Sequence, residues 1–121
     1  MKAKKVILIE DQEEIREGLK EILELEGFVV HTASNGQDGL KITLSNLDSC
    51  AIILDIQMPI MNGWEYLKAY NQVSKSNPPP TVIIISAFSD AAEKAKKEAI
   101  PYFKKPVDID KLVAKLQACC S

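Results

Sequence analysis

Ala51-Ile52-Ile53-Leu54-Asp55-Ile56-Gln57-Met58-Pro59-Ile60-Met61-Asn62-Gly63 joins an unbroken apolar run to a single carboxylate and then to a loop marked by Pro and Gly. Ala51 to Leu54 is too short for a helix and rich in branched residues, which suits the centre of a parallel sheet covered on both faces. Asp55 then stands where the strand leaves the core. Pro59 supplies no ladder N–H and Gly63 frees the backbone, so the segment after Asp55 reads as a loop leading into a helix. In open parallel sheets, ligand chemistry gathers at these carboxyl ends. The competing reading, a loop or capping Asp, is left for the rest of the chain to decide.

Outward from this stretch, strand-like and helix-like pieces alternate. Lys4 to Ile9 reads as a strand, and Glu13 to Glu26 as a helix with Ile15, Leu19, Ile22 and Leu23 inward, ended by Gly27. Phe28 to Ala33 forms a second strand. Ser34-Asn35-Gly36 turns into a helix over Gln37 to Leu47 with Leu40, Leu44 and Leu47 along one side. A third helix is expected from Gly63 to Val73 with Trp64, Leu67 and Tyr70 inward, followed by a stiff, exposed loop from Ser74 to Pro80. Thr81 to Ser86 is a fourth strand. Asp90 to Ala99 is a helix whose inner face is only Ala91, Ala92, Ala95 and Ala99, and so is loosely held. Tyr102 to Lys104 is a short fifth strand before Lys105-Pro106, and Asp108 caps a last helix with Ile109, Leu112, Val113 and Leu116 inward. Strict alternation implies right-handed βαβ units, an α/β fold with a doubly wound, five-stranded parallel sheet and helices on both faces.

Composition excludes several classes. With 121 residues, 46% hydrophobic and 26% charged, the chain suits one soluble globular domain, residues 1–121, with no room for a second, effector domain. The net charge is −2, Arg16 is the only arginine, and no basic stripe is interleaved with aromatics, so direct nucleic-acid binding has little support. The basic start, Met1 to Lys5, precedes an apolar run too short for a signal peptide or a spanning helix, so a cytoplasmic protein without membrane attachment is expected. Cys50, Cys119 and Cys120 form no CxxC pair and have no ligand-spaced His. Neither zinc nor a disulfide framework is indicated, and Cys50 reads as a small buried hydrophobe. His31, alone on an apolar strand, reads as structural.

The polar residues at the strand ends carry the chemistry. Glu10-Asp11 end the first strand, Asp55 the third and Ser86 the fourth, and Lys104-Lys105 follow the fifth, all expected on one rim. Carboxylates sharing a small site repel one another, and a bound divalent cation or a raised pKa resolves the repulsion. Hard oxygen ligands point to magnesium. Lys105 adds a point charge for phosphate and Ser86 a hydroxyl donor, which together describe a phosphoryl-transfer site. A carboxylate is the expected acceptor, since Ser86 has no adjacent base. Judged singly, Glu10 and Asp11 suit a helix start, Ser86 a strand-end cap, and Tyr102 and Trp64 a core.

As a set, these residues resemble the response-regulator receiver domain over the whole chain. Glu10-Asp11 match its acidic pair, Asp55 its phosphoacceptor, Met58 to Gly63 the following loop, Ser86-Ala87 its Thr/Ser-Ala step and Lys105-Pro106 its Lys-Pro step. Tyr102 falls at its switch aromatic. Two departures stand out: Glu10 replaces the commoner Asp, and Glu98-Ala99-Ile100-Pro101 replaces a Gly-Ala approach to the aromatic. The resemblance implies a flavodoxin-like (βα)5 fold in which Asp11, Asp55 and the Gln57 carbonyl bind Mg2+, with Glu10 helping through water. It also implies a cis Lys105–Pro106 bond. The phosphoryl donor would be a sensor histidine kinase or histidine phosphotransfer protein. The output would be contact with a downstream protein effector through the fourth helix, fifth strand and fifth helix, with no catalysis beyond self-catalysed phosphotransfer and autodephosphorylation.

An aspartate-nucleophile phosphatase needs a second acid two residues after its nucleophile, where Gln57 stands. A flavodoxin-like cofactor module lacks its phosphate loop here, since Glu10-Asp11 follow the first strand and repel phosphate. A receiver-like interaction domain that is never phosphorylated is made less favourable by the intact acid set.

Overall fold

In the computed structural model, which describes residues 4–73 and 77–120, the chain runs β1 (Lys4–Ile9), α1 (Glu13–Leu25), β2 (Phe28–Ala33), α2 (Gly36–Ser45), β3 (Ala51–Asp55), α3 (Gly63–Val73), β4 (Thr81–Ser86), α4 (Ser89–Lys97), β5 (Tyr102–Lys104) and α5 (Ile109–Cys119). Met1 to Ala3 of the basic start and Ser74 to Ser76 of the Pro-rich loop lie outside the described residues. All strand pairs are parallel and the order is β2-β1-β3-β4-β5. The doubly wound α/β sheet is therefore the observed fold, and its order reverses between β1 and β3, where such sheets open a crevice.

Strand alternation divides the core into two layers. Val6, Leu8, Ile53, Ile83 and Ile85 face α1 and α5, where Leu19, Leu23, Leu112 and Leu116 complete one cluster. Ile7, Ile9, Ile52, Leu54 and Ile84 face the other side against Tyr66, Leu67, Tyr70, Ala91 and Ala95. All five residues of β3 are buried, as a strand covered on both faces requires.

Three side-chain expectations are corrected, and a fourth, for Trp64, is met in part, since its ring packs at the margin of the second cluster. Leu44 and Leu47 are exposed rather than inward, because the buried residues of α2 are Gly36, Gly39 and Thr43. A Cβ at Gly39 would sit 2.5 Å from Ile9 Cδ1, so α2 approaches the sheet through small residues that a larger face would hold off. Trp64 is only half-buried and lies under Lys94 Nζ, 4.5 Å from the ring centroid, while Tyr66 takes the fully buried place. On α4, Ala91 and Ala95 are buried, Ala92 is half-buried and Ala99 is exposed beyond the end of the helix. Cys50 is disulfide-bonded to Cys120, 70 residues away, while Cys119 is free. The pairing depends on the end of α5 reaching the start of β3, which spacing along the chain does not encode.

Candidate functional site

Four of the five strands, β1, β3, β4 and β5, bring site residues to the carboxyl edge. β1 ends at Ile9, and Glu10 stays attached to the sheet through its N–H, which donates to Ala33 O at 3.0 Å. Arg16, one turn into α1, donates from Nη1 to the carbonyls of Glu10 at 3.0 Å and Asp11 at 3.3 Å. The single arginine thus holds the acidic turn in place through its backbone and leaves the carboxylates free of it. β3 ends in Asp55, and the next turn closes tightly because Gly63 N–H donates to Ile56 O at 2.9 Å. A Cβ at Gly63 would lie 2.7 Å from Asp55 O, so glycine is needed where α3 begins. Between them Ile60 takes φ 68°, with Met61 N–H donating to Pro59 O at 2.7 Å. This classic γ-turn is unusual for a β-branched residue. Gly36 N–H holds the same loop by donating to Met61 O at 3.0 Å.

Carboxylate oxygens of Glu10, Asp11 and Asp55 lie within 4.8 Å of one another. Glu10 is fully buried and Asp55 nearly so. Lys105, delivered by β5 and followed by a cis bond to Pro106 as expected, places Nζ 2.6 Å from Glu10 Oε1 and 3.3 Å from Asp55 Oδ1. The other Glu10 oxygen accepts from Gln12 N–H at 3.0 Å. Burial disfavours the Lys105 ammonium, but the Glu10 hydrogen bond and the charges of Asp55 and Glu10 outweigh it and raise its pKa. Asp55 is pushed up to about 7, first by burial and then by the charge of Glu10, with Lys105 pulling the other way.

Ser86 is fully buried at the end of β4, and its Oγ accepts from Phe88 N–H at 3.1 Å. Its carbonyl accepts from Lys105 N–H at 2.9 Å and from the Tyr102 hydroxyl at 3.3 Å, and Tyr102 also donates to Phe88 O at 3.3 Å. The β4–α4 turn is therefore tied to β5 by both its serine and its tyrosine. Gln57 is exposed two residues past Asp55 and borders a groove of about 390 Å³ that Ser86, Trp64 and Phe88 also line. Thus Glu10, Asp11, Asp55 and Lys105 are brought together, Ser86 opens the adjoining turn that Tyr102 of β5 holds by its hydroxyl, and Gln57 presents an open rim. The direct Lys105–Glu10 ion pair was not read from the sequence, which assigned Lys105 to phosphate alone; two oppositely charged strand ends on one rim were the available signal.

The raised Asp55 pKa gives a pH-dependent expectation. A folded pKa above the ordinary 3.8 means the folded state binds more protons than the unfolded one, so stability falls as pH rises from about 4 to about 7. In metal-free buffer at pH 8, Asp55→Asn is expected to raise the melting midpoint by roughly 5 °C, the gap closing toward pH 4. Melting scans across that range check it. A wild-type midpoint at or above that of Asp55→Asn at pH 8 would contradict the crowding described.

The family model described as "Response regulator receiver domain" matches residues 6–117. The chain is 32% identical to the transcriptional regulatory protein HprR of Escherichia coli K12, over 94% of this chain and 50% of that protein. It is 35% identical to the response regulator ArlR of Staphylococcus aureus, over 93% of this chain and 51% of that protein. The chain spans about half the length of these curated relatives. Among solved structures, a response regulator receiver domain protein of Clostridium thermocellum superposes with a TM-score of 0.84 at 30% identity, covering 97% of this chain and 94% of that one.

Proposed function

The chain belongs to the response regulator receiver domain family, and from that premise we propose that residues 1–121 act as one receiver unit that takes a phosphoryl group from a phosphohistidine donor onto Asp55. The observation that carries the assignment is Asp55 itself, a buried carboxylate at the end of the central strand with Lys105 Nζ 3.3 Å from its Oδ1 and two further acids beside it. In the transfer, an Asp55 carboxylate oxygen forms the new P–O bond. The P–N bond of the donor breaks and its electron pair returns to the imidazole. Lys105 steadies the oxygens of the transferring group, and Ser86 offers a hydroxyl once its contact with Phe88 N–H is released. The donor is a sensor histidine kinase or a histidine phosphotransfer protein, and the setting is cytoplasmic. Among the described residues no helix is long and apolar enough to cross a membrane.

The donor set fits magnesium. Three clustered carboxylates are hard oxygen ligands, and a divalent cation relieves their mutual repulsion, which adds to burial in raising the Asp55 pKa. Asp11, Asp55 and the Gln57 carbonyl would hold the ion, with Glu10 assisting through water because its own oxygens already serve Lys105 and Gln12. When bound, magnesium supplies positive charge against the phosphoryl oxygens. Saturating Mg2+, near 100 times its Kd, is expected to stabilise the wild type by about 2.7 kcal/mol. Asp11→Ala should lose most of that gain. Thermal melts of both proteins with and without Mg2+ measure it, and an unchanged wild-type midpoint would count against the metal site.

Output is assigned to a protein contact made by α4, β5 and α5. Phosphorylation adds charge and acceptor oxygens beside Ser86. Reorienting its hydroxyl frees the turn that Tyr102 holds through Ser86 O and Phe88 O. Helix α4 buries only Ala91 and Ala95, so it is the cheapest element to shift. Amide NMR of free and phosphorylated protein is expected to move signals across residues 87–106, and Ser86→Ala to diminish those changes while leaving labelling possible. Changes confined to the loop after Asp55 would overturn this route.

A further inference from the structure

The edge of the sheet opposite the acidic site carries the Cys50–Cys120 disulfide. Cys50 enters the sheet there, its N–H donating to Lys5 O at 2.9 Å and its carbonyl accepting from Thr81 N–H at 3.0 Å, just before β3 begins. Helix α5 starts near Lys105 and runs back across the sheet, so Cys120 at its end meets Cys50 with the two Cα atoms 5.2 Å apart.

We propose that Cys50 and Cys120 form a reversible redox site that fastens α5 to the sheet, opened and closed by exchange with low-molecular-weight thiols and disulfides such as glutathione. Three observations carry it. First, the bridge spans 70 residues of chain, including Asp55, Ser86 and Lys105, so it strongly restricts the unfolded ensemble. Second, the reduced form is accommodated without a stranded polar group. Cys50 Sγ lies 3.2 Å from Lys5 O, which would accept from the thiol once the bond is reduced, and Cys120 is 7% exposed within the apolar cluster of Leu112 and Leu116, where a thiol packs as a small hydrophobe. Third, Cys50 is the more exposed partner and gives an incoming thiolate a point of attack. In a reducing compartment such bonds are typically transient and redox-sensing, a step of the argument that rests on the cytoplasmic reading above.

Closure begins when the Cys50 thiolate attacks a small disulfide, forming a mixed disulfide and releasing one small thiolate. The Cys120 thiolate then attacks Cys50 Sγ and displaces the second. Two protein thiols are oxidised, one small disulfide is reduced to two thiols, and the protons lost by the cysteines are taken up by the released thiolates. Opening is the reverse.

The test equilibrates the full chain with graded ratios of reduced to oxidised glutathione, traps free thiols by alkylation, and maps the peptides. Under oxidising conditions only Cys119 is expected to be alkylated, with Cys50 and Cys120 recovered as one linked peptide. Under reducing conditions applied without denaturant, all three are alkylated once the quenched sample is unfolded, the melting midpoint falls by roughly 10 °C, and amide exchange in α5 quickens. Cys119→Ser should keep the bridge and the midpoint shift. Three free thiols at every ratio, a bridge through Cys119, a bridge that resists reduction in the native state, or an unchanged midpoint would each overturn the proposal. Labelling of Asp55 is read in parallel; its failure in both redox forms would count against the phosphoacceptor assignment alone, while the thiol pattern still decides this one.

Discussion

Asp55→Asn is expected to abolish phosphoryl labelling by a small-molecule phosphodonor in magnesium, while the wild type gains the mass of one phosphoryl group. The amide keeps the shape of the side chain but has no anionic oxygen to form the P–O bond. Two neighbours are poorly placed to replace it. Glu10 has both oxygens engaged, by Lys105 Nζ at 2.6 Å and Gln12 N–H at 3.0 Å, and Ser86 Oγ is occupied by Phe88 N–H with no adjacent base to activate it. The variant is also expected to fold at least as well as the wild type, since it removes one of three crowded acids. Intact mass of both proteins under one treatment makes the comparison, and equal labelling would contradict the assignment.

Lys105→Met is expected to produce the largest loss of stability among single changes at the site. Its ammonium is the cation paired with Glu10 and Asp55, which are fully and almost fully buried. Removing one partner of a buried ion pair leaves an uncompensated charge and costs about 3–5 kcal/mol. In metal-free buffer at pH 8 the urea midpoint should fall accordingly. The deficit should shrink as pH drops, because protonating a carboxylate removes the charge that lost its partner. Adding Asp55→Asn to Lys105→Met should recover part of the loss, with a coupling of at least about 1 kcal/mol. The labelling rate should also fall, by roughly 100-fold if Lys105 acts on the transferring oxygens as other preorganised donors do. An unchanged urea midpoint in Lys105→Met would show that the pair contributes nothing to the fold.

How far the chain was legible follows from how local each signal is. The stretch Ala51 to Leu54 forms the strand its branched, uncharged residues require, and the alternation of the other strands and helices points to a parallel sheet covered on both faces, while the order β2-β1-β3-β4-β5 is seen only in the folded chain. The rim followed from topology, because parallel strands put Glu10, Asp11, Asp55, Ser86 and Lys105 at the same edge. What escaped depends on distances between elements. Leu44 and Leu47 make a plausible inner face by spacing, yet α2 packs through Gly36, Gly39 and Thr43, with Thr43 Oγ1 2.7 Å from the Tyr66 hydroxyl. That close approach needs the two glycines of α2 to meet Ile9 and Met61, partners that only the folded chain brings to them. Ile60 took the positive φ that glycine would ordinarily supply. The Cys50–Cys120 bond joins two ends that only the completed sheet brings together.

The assignment of the phosphoryl group to Asp55 underlies the proposed function. Its most direct test is to treat the wild-type chain with a small-molecule phosphodonor and Mg2+, trap the acyl phosphate by reduction before digestion, and locate the modified residue by tandem mass spectrometry. The expected result is a single modified site at Asp55, absent when magnesium is chelated. A modification at Glu10, Asp11 or Ser86 in its place, or none under saturating donor and magnesium, would contradict the account.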